Sequence, residues 1–250
     1  MTQPRAAHDI VAAVKRAFRE EPRLGPRFHL DRIAVERDGT LTLEGNVAQL
    51  KDKKLALLRA AAVSGVVGLI DRVHVVPATP ANDRHIRAQL REMFAQDPDF
   101  SDLALREDIA AGVLATDFKP VAGPAERAAG RIDIEVEGGV VTLNGVVPTL
   151  VRKRLAGAMA RWIAGVRDVI NGIVVDPPEE DGPDQIEEAV RIVLDRNPAV
   201  DATQIRVGVR GRMVRLTGLV RSEVTRQIVE NDAWAVFGID DVINEIAVRP

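Results

Sequence analysis

Two short basic clusters are the residues best placed to do chemistry with a partner. Lys51, Lys53, Lys54 and Arg59 lie in KDKKLALLR; Arg152, Lys153, Arg154 and Arg161 lie in VRKRLAGAMAR, directly before Trp162. Cationic groups gathered on one helix can rest on an anionic lipid headgroup layer, at about 1 kcal/mol for each well-placed Lys or Arg. Four such groups give weak, salt-sensitive attachment. The competing reading is an ordinary solvated helix face, with Trp162 and Trp234 packed on a sheet. A third comparable segment keeps only Arg221 and Arg226.

Catalytic chemistry finds little to work with. His8, His29, His74 and His85 all lie in the first third, and none is spaced from another as metal ligands are. Ser64, Ser101 and Ser222 are scattered, without a nucleophile-elbow motif. There is no cysteine, which excludes disulfides, thiolate catalysis and thiolate metal sites. No phosphate-binding glycine loop of either common type occurs. Gly65-Val66-Val67-Gly68 has the outline of an RNA-binding glycine loop, but its middle residues are valines where basic residues are usual. No enzyme activity, cofactor, metal or nucleic-acid partner is expected.

Charge is unevenly spread. The whole chain carries a net −3, yet residues 1–76 hold 13 basic and 9 acidic side chains. No stretch of eighteen apolar residues predicts a membrane span, and the N-terminus lacks a signal-like apolar run. The expected location is cytoplasmic, peripheral to a membrane when bound.

The elements that would position the basic clusters come in three copies. TLTLEGNV (40–47), VVTLNGVV (140–147) and MVRLTGLV (213–220) align on Gly45, Gly145 and Gly218. Twenty residues on stand Gly65, Gly165 and Gly238, and twenty-six residues on stand Asp71, Asn171 and Asn244. Agreement at fixed offsets marks an internal repeat. Each copy opens with an amphipathic segment ending at Pro22, Pro98 or Pro198, with Asp184 placed to cap the third. An alternating hairpin follows, turning at Asp38-Gly39, Gly138-Gly139 or Gly211-Arg212. A second helix and an apolar strand close the copy.

The predicted fold class is α+β: three tandem α-β-β-α-β repeats, each a small three-stranded sheet with two helices on one face. Their bounds are 1–76, 83–175 and 184–250, joined by PATPAN and DPPEEDGPD. The six aligned glycines are assigned to scaffold, serving positive φ or close helix–sheet approach. An insertion at about 104–130 sets the middle repeat apart; its LREDIAAGVL stretch is helix-compatible and the rest reads as loop. It is either a tolerated ornament or a functional surface.

This pattern resembles the BON domain, a module of bacterial osmotic-stress and nodulation proteins. The resemblance rests on LTLEG, VTLNG and VRLTG, on Gly65-Val66, Gly165-Val166 and Gly238-Ile239, and on the Val-Ile-Asn stretches at 169–171 and 242–244. It implies a binding module that contacts anionic phospholipid or acts in envelope and osmotic stress. On that basis Lys51, Lys53, Lys54, Arg59, Arg152, Lys153, Arg154, Arg161 and Trp162 are the expected lipid contacts. The alternative is a protein–protein scaffold or homo-oligomer, built through exposed sheet edges and the 104–130 insertion.

Overall fold

Spacing of apolar residues sets the first helix of each repeat, and proline ends it. In α1 (Ala7–Glu20), Ile10, Val14 and Phe18 fall on one face and are buried. Pro22 then opens a one-turn 3-10 helix, where the Glu21 carboxylate accepts from Arg23 N. The chain continues through β1 (Arg32–Val35), β2 (Thr40–Val47), α2 (Leu50–Ala61) and β3 (Gly68–Val75). The sheet order is β1-β2-β3, the first pair antiparallel and the second parallel. Leu41, Leu43 and Val73 point from it into the core under both helices.

The computed structural model describes residues 7–108, 118–123 and 128–249. It separates into two compact bodies, Met1–Val76 and Pro77–Pro250. The first is the repeat just described; the second holds the other two copies. Its elements are α3 (Asp83–Gln96), β4 (Leu103–Asp108), β5 (Phe118–Ala122), β6 (Gly130–Glu137), β7 (Val140–Val147), α4 (Leu150–Trp162), β8 (Asp168–Asn171) and β9 (Val174–Val175). The third copy follows as α5 (Pro183–Arg196), β10 (Ile205–Arg210), β11 (Met213–Val220), α6 (Glu223–Ala235) and β12 (Asp241–Val248). Its sheet runs β10-β11-β12 with the same pairing senses as the first. The chain is therefore an α+β protein of repeated α-β-β-α-β elements.

Three local expectations give way. Leu105–Asp108, read as helix-compatible, belong to strand β4; residues 109–114 of that stretch lie outside the described residues. Leu103 and Leu105 alternate toward the core and are fully buried, and that burial outweighs the helix propensity of Ala, Leu, Arg and Glu. The insertion thereby enlarges the middle sheet to six strands, ordered β5-β4-β6-β7-β8 with β9 also on β7. Secondly, VINGIVV is not one strand: it breaks into β8 and β9 around Gly172, where a Cβ would lie 2.4 Å from Asn144 Oδ1. Thirdly, Asp184 does not cap α5, which starts at Pro183 with Gly182 at the N-cap and no side-chain cap.

The aligned glycines all have positive φ, at Gly45, Gly65, Gly145, Gly165, Gly218 and Gly238. The reason is plainest at Gly145 and Gly218, with φ of 119° and 138°. A Cβ would fall 2.3 Å from Arg131 O at the first and 2.0 Å from Gln204 O at the second, inside backbone that cannot yield.

Candidate functional site

Asp71, Asn171 and Asn244 recur because each ties the third strand of its repeat to the second helix. Asn171 Nδ2 donates to Lys153 O at 2.7 Å, and Asn244 Nδ2 to Arg226 O at 3.3 Å. Their Oδ1 atoms accept from the backbone two residues on, at Ile173 and Ile246. Asp71 accepts likewise from Val73 N, but lacks an amide donor and instead pairs with Lys53 Nζ at 2.8 Å. Lysine stands eighteen residues earlier in both the first and second repeats, but only Lys53, facing the Asp71 carboxylate, is drawn inward by an ion pair.

The predicted basic contacts divide accordingly. Lys53 is buried, its side chain 6% exposed against Asp71. Arg59 reaches Glu21, with Nε 2.7 Å from Oε2. Arg23 and Arg59 together hold the Glu21 carboxyl down to about 2, although burial acts in the opposite sense. Lys51 and Lys54 are half-buried on α2. The first cluster is thus not a continuous cationic face: two of its four members serve internal pairs.

The second cluster forms a seam between repeats. α4 is buried from Arg154 through Ala160 without a break, more than one face of a helix can cover. One side lies on β7 and β8, the other against α5 and α6. The small residues of Ala156-Gly157-Ala158 allow that approach, with Gly157 leaving room for Asn171.

Charged groups close the edges of the seam. Arg154, 0% exposed, donates through Nε to Phe237 O at 2.9 Å and through Nη2 to Asp181 at 2.6 Å. Lys153 stands over the Phe237 ring, 5.3 Å from its centroid. Arg152 and Arg161 instead pair within the second repeat, with Asp102 and Asp168.

Trp162 Nε1 donates to Asp232 Oδ1 at 2.8 Å, and Asn197 Nδ2 to Oδ2 at 2.7 Å. Burial pushes the Asp232 carboxyl up to about 6, against the lowering by these two donors. Arg196 adds bonds of 3.0 and 2.9 Å to Asp97 and Asp99. Sequence reasoning missed Asp232, Asp181 and Phe237 as partners because each comes from another repeat or linker.

What remains open is the sheet face away from the helices. Ile70, Ile170 and Ile243 occupy equivalent places there, the first two 42% and 54% exposed. Met213, Leu219 and Val174 add to it. Among the described residues no group of three or more His, Asp or Glu could hold a metal ion, and no helix is long and apolar enough to cross a membrane.

A family model described as "BON domain" matches residues 7–77, 121–177 and 183–250. The chain has no match among curated proteins. Among solved structures, one is described as the C-terminal domain of CdsD, the structural protein of the type III secretion system of Chlamydia trachomatis. It is 15% identical, with coverage of 98% of this chain and 100% of that chain and a TM-score of 0.25. A second CdsD structure is 16% identical, covering 97% and 93%, also with a TM-score of 0.25.

Proposed function

Because the chain belongs to the BON domain family, whose module it carries three times, we propose that it acts as a non-enzymatic scaffold that binds other proteins. The observation that carries this reading is the fate of α4. Arg154, Lys153 and Trp162, the residues a membrane would need, are engaged by Asp181, Phe237 and Asp232 in the seam between two repeats. The helical side of these modules thus serves module packing. Their exposed apolar residues include Ile170, Val174, Met213 and Leu219 on the opposite sheet faces, besides Val224 on α6 and Phe237 in the loop after it. Exposed apolar patches of that kind mark interaction surfaces.

The test is a photo-crosslinking residue placed singly at Ile170, at Met213, and at the exposed control Glu92, in the native cells. Discrete protein adducts at the two sheet positions but not the control are expected, and the purified partner should bind the purified chain. Adducts indistinguishable from the control's would sink the scaffold.

A second reading has its own observation: residues 1–76 are net positive, with Lys51 and Lys54 half-exposed on α2. On this reading the first repeat attaches peripherally to anionic phospholipid, at about 1 kcal/mol per cation. Flotation with anionic but not zwitterionic vesicles, lost at high salt and in Lys51→Glu/Lys54→Glu, supports it. Flotation unaffected by the double variant removes it.

A further inference from the structure

The middle repeat shows what fits beside the first hairpin strand of a repeat. β4 runs parallel to β6, with Leu105 opposite Ile132 and Glu107 opposite Ile134. Leu103 and Leu105 are fully buried, and Arg91 of α3 stands 3.6 Å from Glu107. On the other face Arg106 grips Asp133 with bonds of 2.6 and 2.8 Å. In the third repeat, among the described residues, nothing pairs with the corresponding edge, that of β10. A groove of about 610 Å³ lies there between α5 and β10; Asp99 and Asp195 line it but pair with Arg196, while Arg191 and Arg206 flank the apolar Ile205 and Val207.

Alignment on Gly145 and Gly218 places Ile205 where Ile132 stands, Arg206 where Asp133 stands and Val207 where Ile134 stands. Alignment on Pro98 and Pro198 places Arg191 where Arg91 stands. The third repeat is therefore an open copy of a site that the second repeat fills with its own chain. An unpaired strand edge presents a row of N–H and C=O groups that template another strand. Main-chain bonds then supply affinity and alternate side chains supply specificity.

We propose that the α5–β10 groove binds an extended acidic segment of a partner protein, added as a strand parallel to β10. The register is that of β4. An apolar side chain enters opposite Ile205, and a carboxylate two residues on reaches Arg191. The residue between them faces Arg206. There β4 presents Arg106 to Asp133, whereas the third repeat presents a guanidinium, so the ligand carries a second acidic residue. The same reversal disfavours β4 of a second copy, whose Arg106 would meet Arg206. Arg191 is 63% exposed and pairs with Glu187 one turn away, an exchangeable surface pair. In the first repeat the corresponding cavity, about 710 Å³, differs in being lined by the chain's own Gly25, Pro26, Phe28, His29 and Leu30, with Phe28 edge-on to Phe18 at 5.4 Å.

This inference rests on the scaffold reading and names its partner chemistry. The experiment titrates the isotope-labelled full chain with an end-blocked peptide of residues 102–108 carrying Arg106→Glu. The unaltered peptide and one with Leu105→Pro are run beside it. Amide shifts concentrated at Ile205–Val209 are expected, with the acidic peptide about two- to fivefold tighter than the unaltered one. The Arg206→Glu chain should reverse that preference, and the proline peptide should produce no shifts. Absence of shifts at β10, or a preference that Arg206→Glu leaves unchanged, overturns the proposal. Protein adducts at Ile170 or Met213 alongside that failure would leave the scaffold standing and remove only this groove.

Discussion

At the residue scale, one missing Cβ and one buried carboxylate make the sharpest predictions. Gly218→Ala would set a methyl group 2.0 Å from Gln204 O, against backbone rather than a flexible side chain. Equilibrium urea unfolding should show a loss of about 3 kcal/mol or more, the range of severe backbone strain. Asp232 behaves in a way that is opposite to most carboxylates. Its folded value, about 6, lies above the ordinary 3.8, so the folded protein binds more protons than the unfolded chain between those values. Its stabilising contribution is full at low pH and lost as pH rises through 6. Lowering pH from 7 to 5 should therefore stabilise the body holding Asp232 by about 1 kcal/mol, and Asp232→Asn should flatten that dependence. A constant or falling stability over this interval in the native chain would contradict the assignment.

At the element scale, the seam helix α4 shows how far local pattern reaches. The α-β-β-α-β order, the hairpin turns and the aligned glycines were legible because each depends on near neighbours or on a period within one repeat. Lys53 and Arg154 were not. Their partners, Asp71 and Asp181 with Phe237 O, lie eighteen or more residues away, and a solvated basic helix face has the same spelling as one turned inward. Strand β4 was missed for a related reason: LALRED favours a helix locally, and only the edge of β6 makes it a strand. The burial of Arg154 predicts a graded cost. Arg154→Ala should destabilise the seam by about 3 kcal/mol, since it leaves a cavity and strips Phe237 O of its donor. Arg154→Met refills the cavity and should cost distinctly less, because the half-exposed Asp181 can turn to water. Equal losses in the two variants, read by urea unfolding, would mean that the charge and not the packing is what α4 requires.

At the scale of the whole molecule, two compact bodies carry separable signals. Both tryptophans, Trp162 and Trp234, belong to Pro77–Pro250, and Met1–Val76 has none. Tryptophan emission therefore reports only the body of the second and third repeats, while far-ultraviolet dichroism reports both. The seam of α4 with α5 and α6 joins those two repeats through one buried helix, so they should unfold as a single cooperative step in emission. Dichroism should show that step and a second one from the first repeat. Acid separates them further. The Glu21 carboxyl is held at about 2 against an ordinary 4.5, so its contribution is present above 4.5 and lost as pH falls toward 2. Between pH 7 and 5 the emission-detected step should move to higher urea through Asp232, with the other step little changed. Below pH 4.5 the first repeat should weaken, and Glu21→Gln should abolish that additional loss without touching emission. Two emission transitions would show that the second and third repeats unfold separately, and the seam would then be contact without cooperativity.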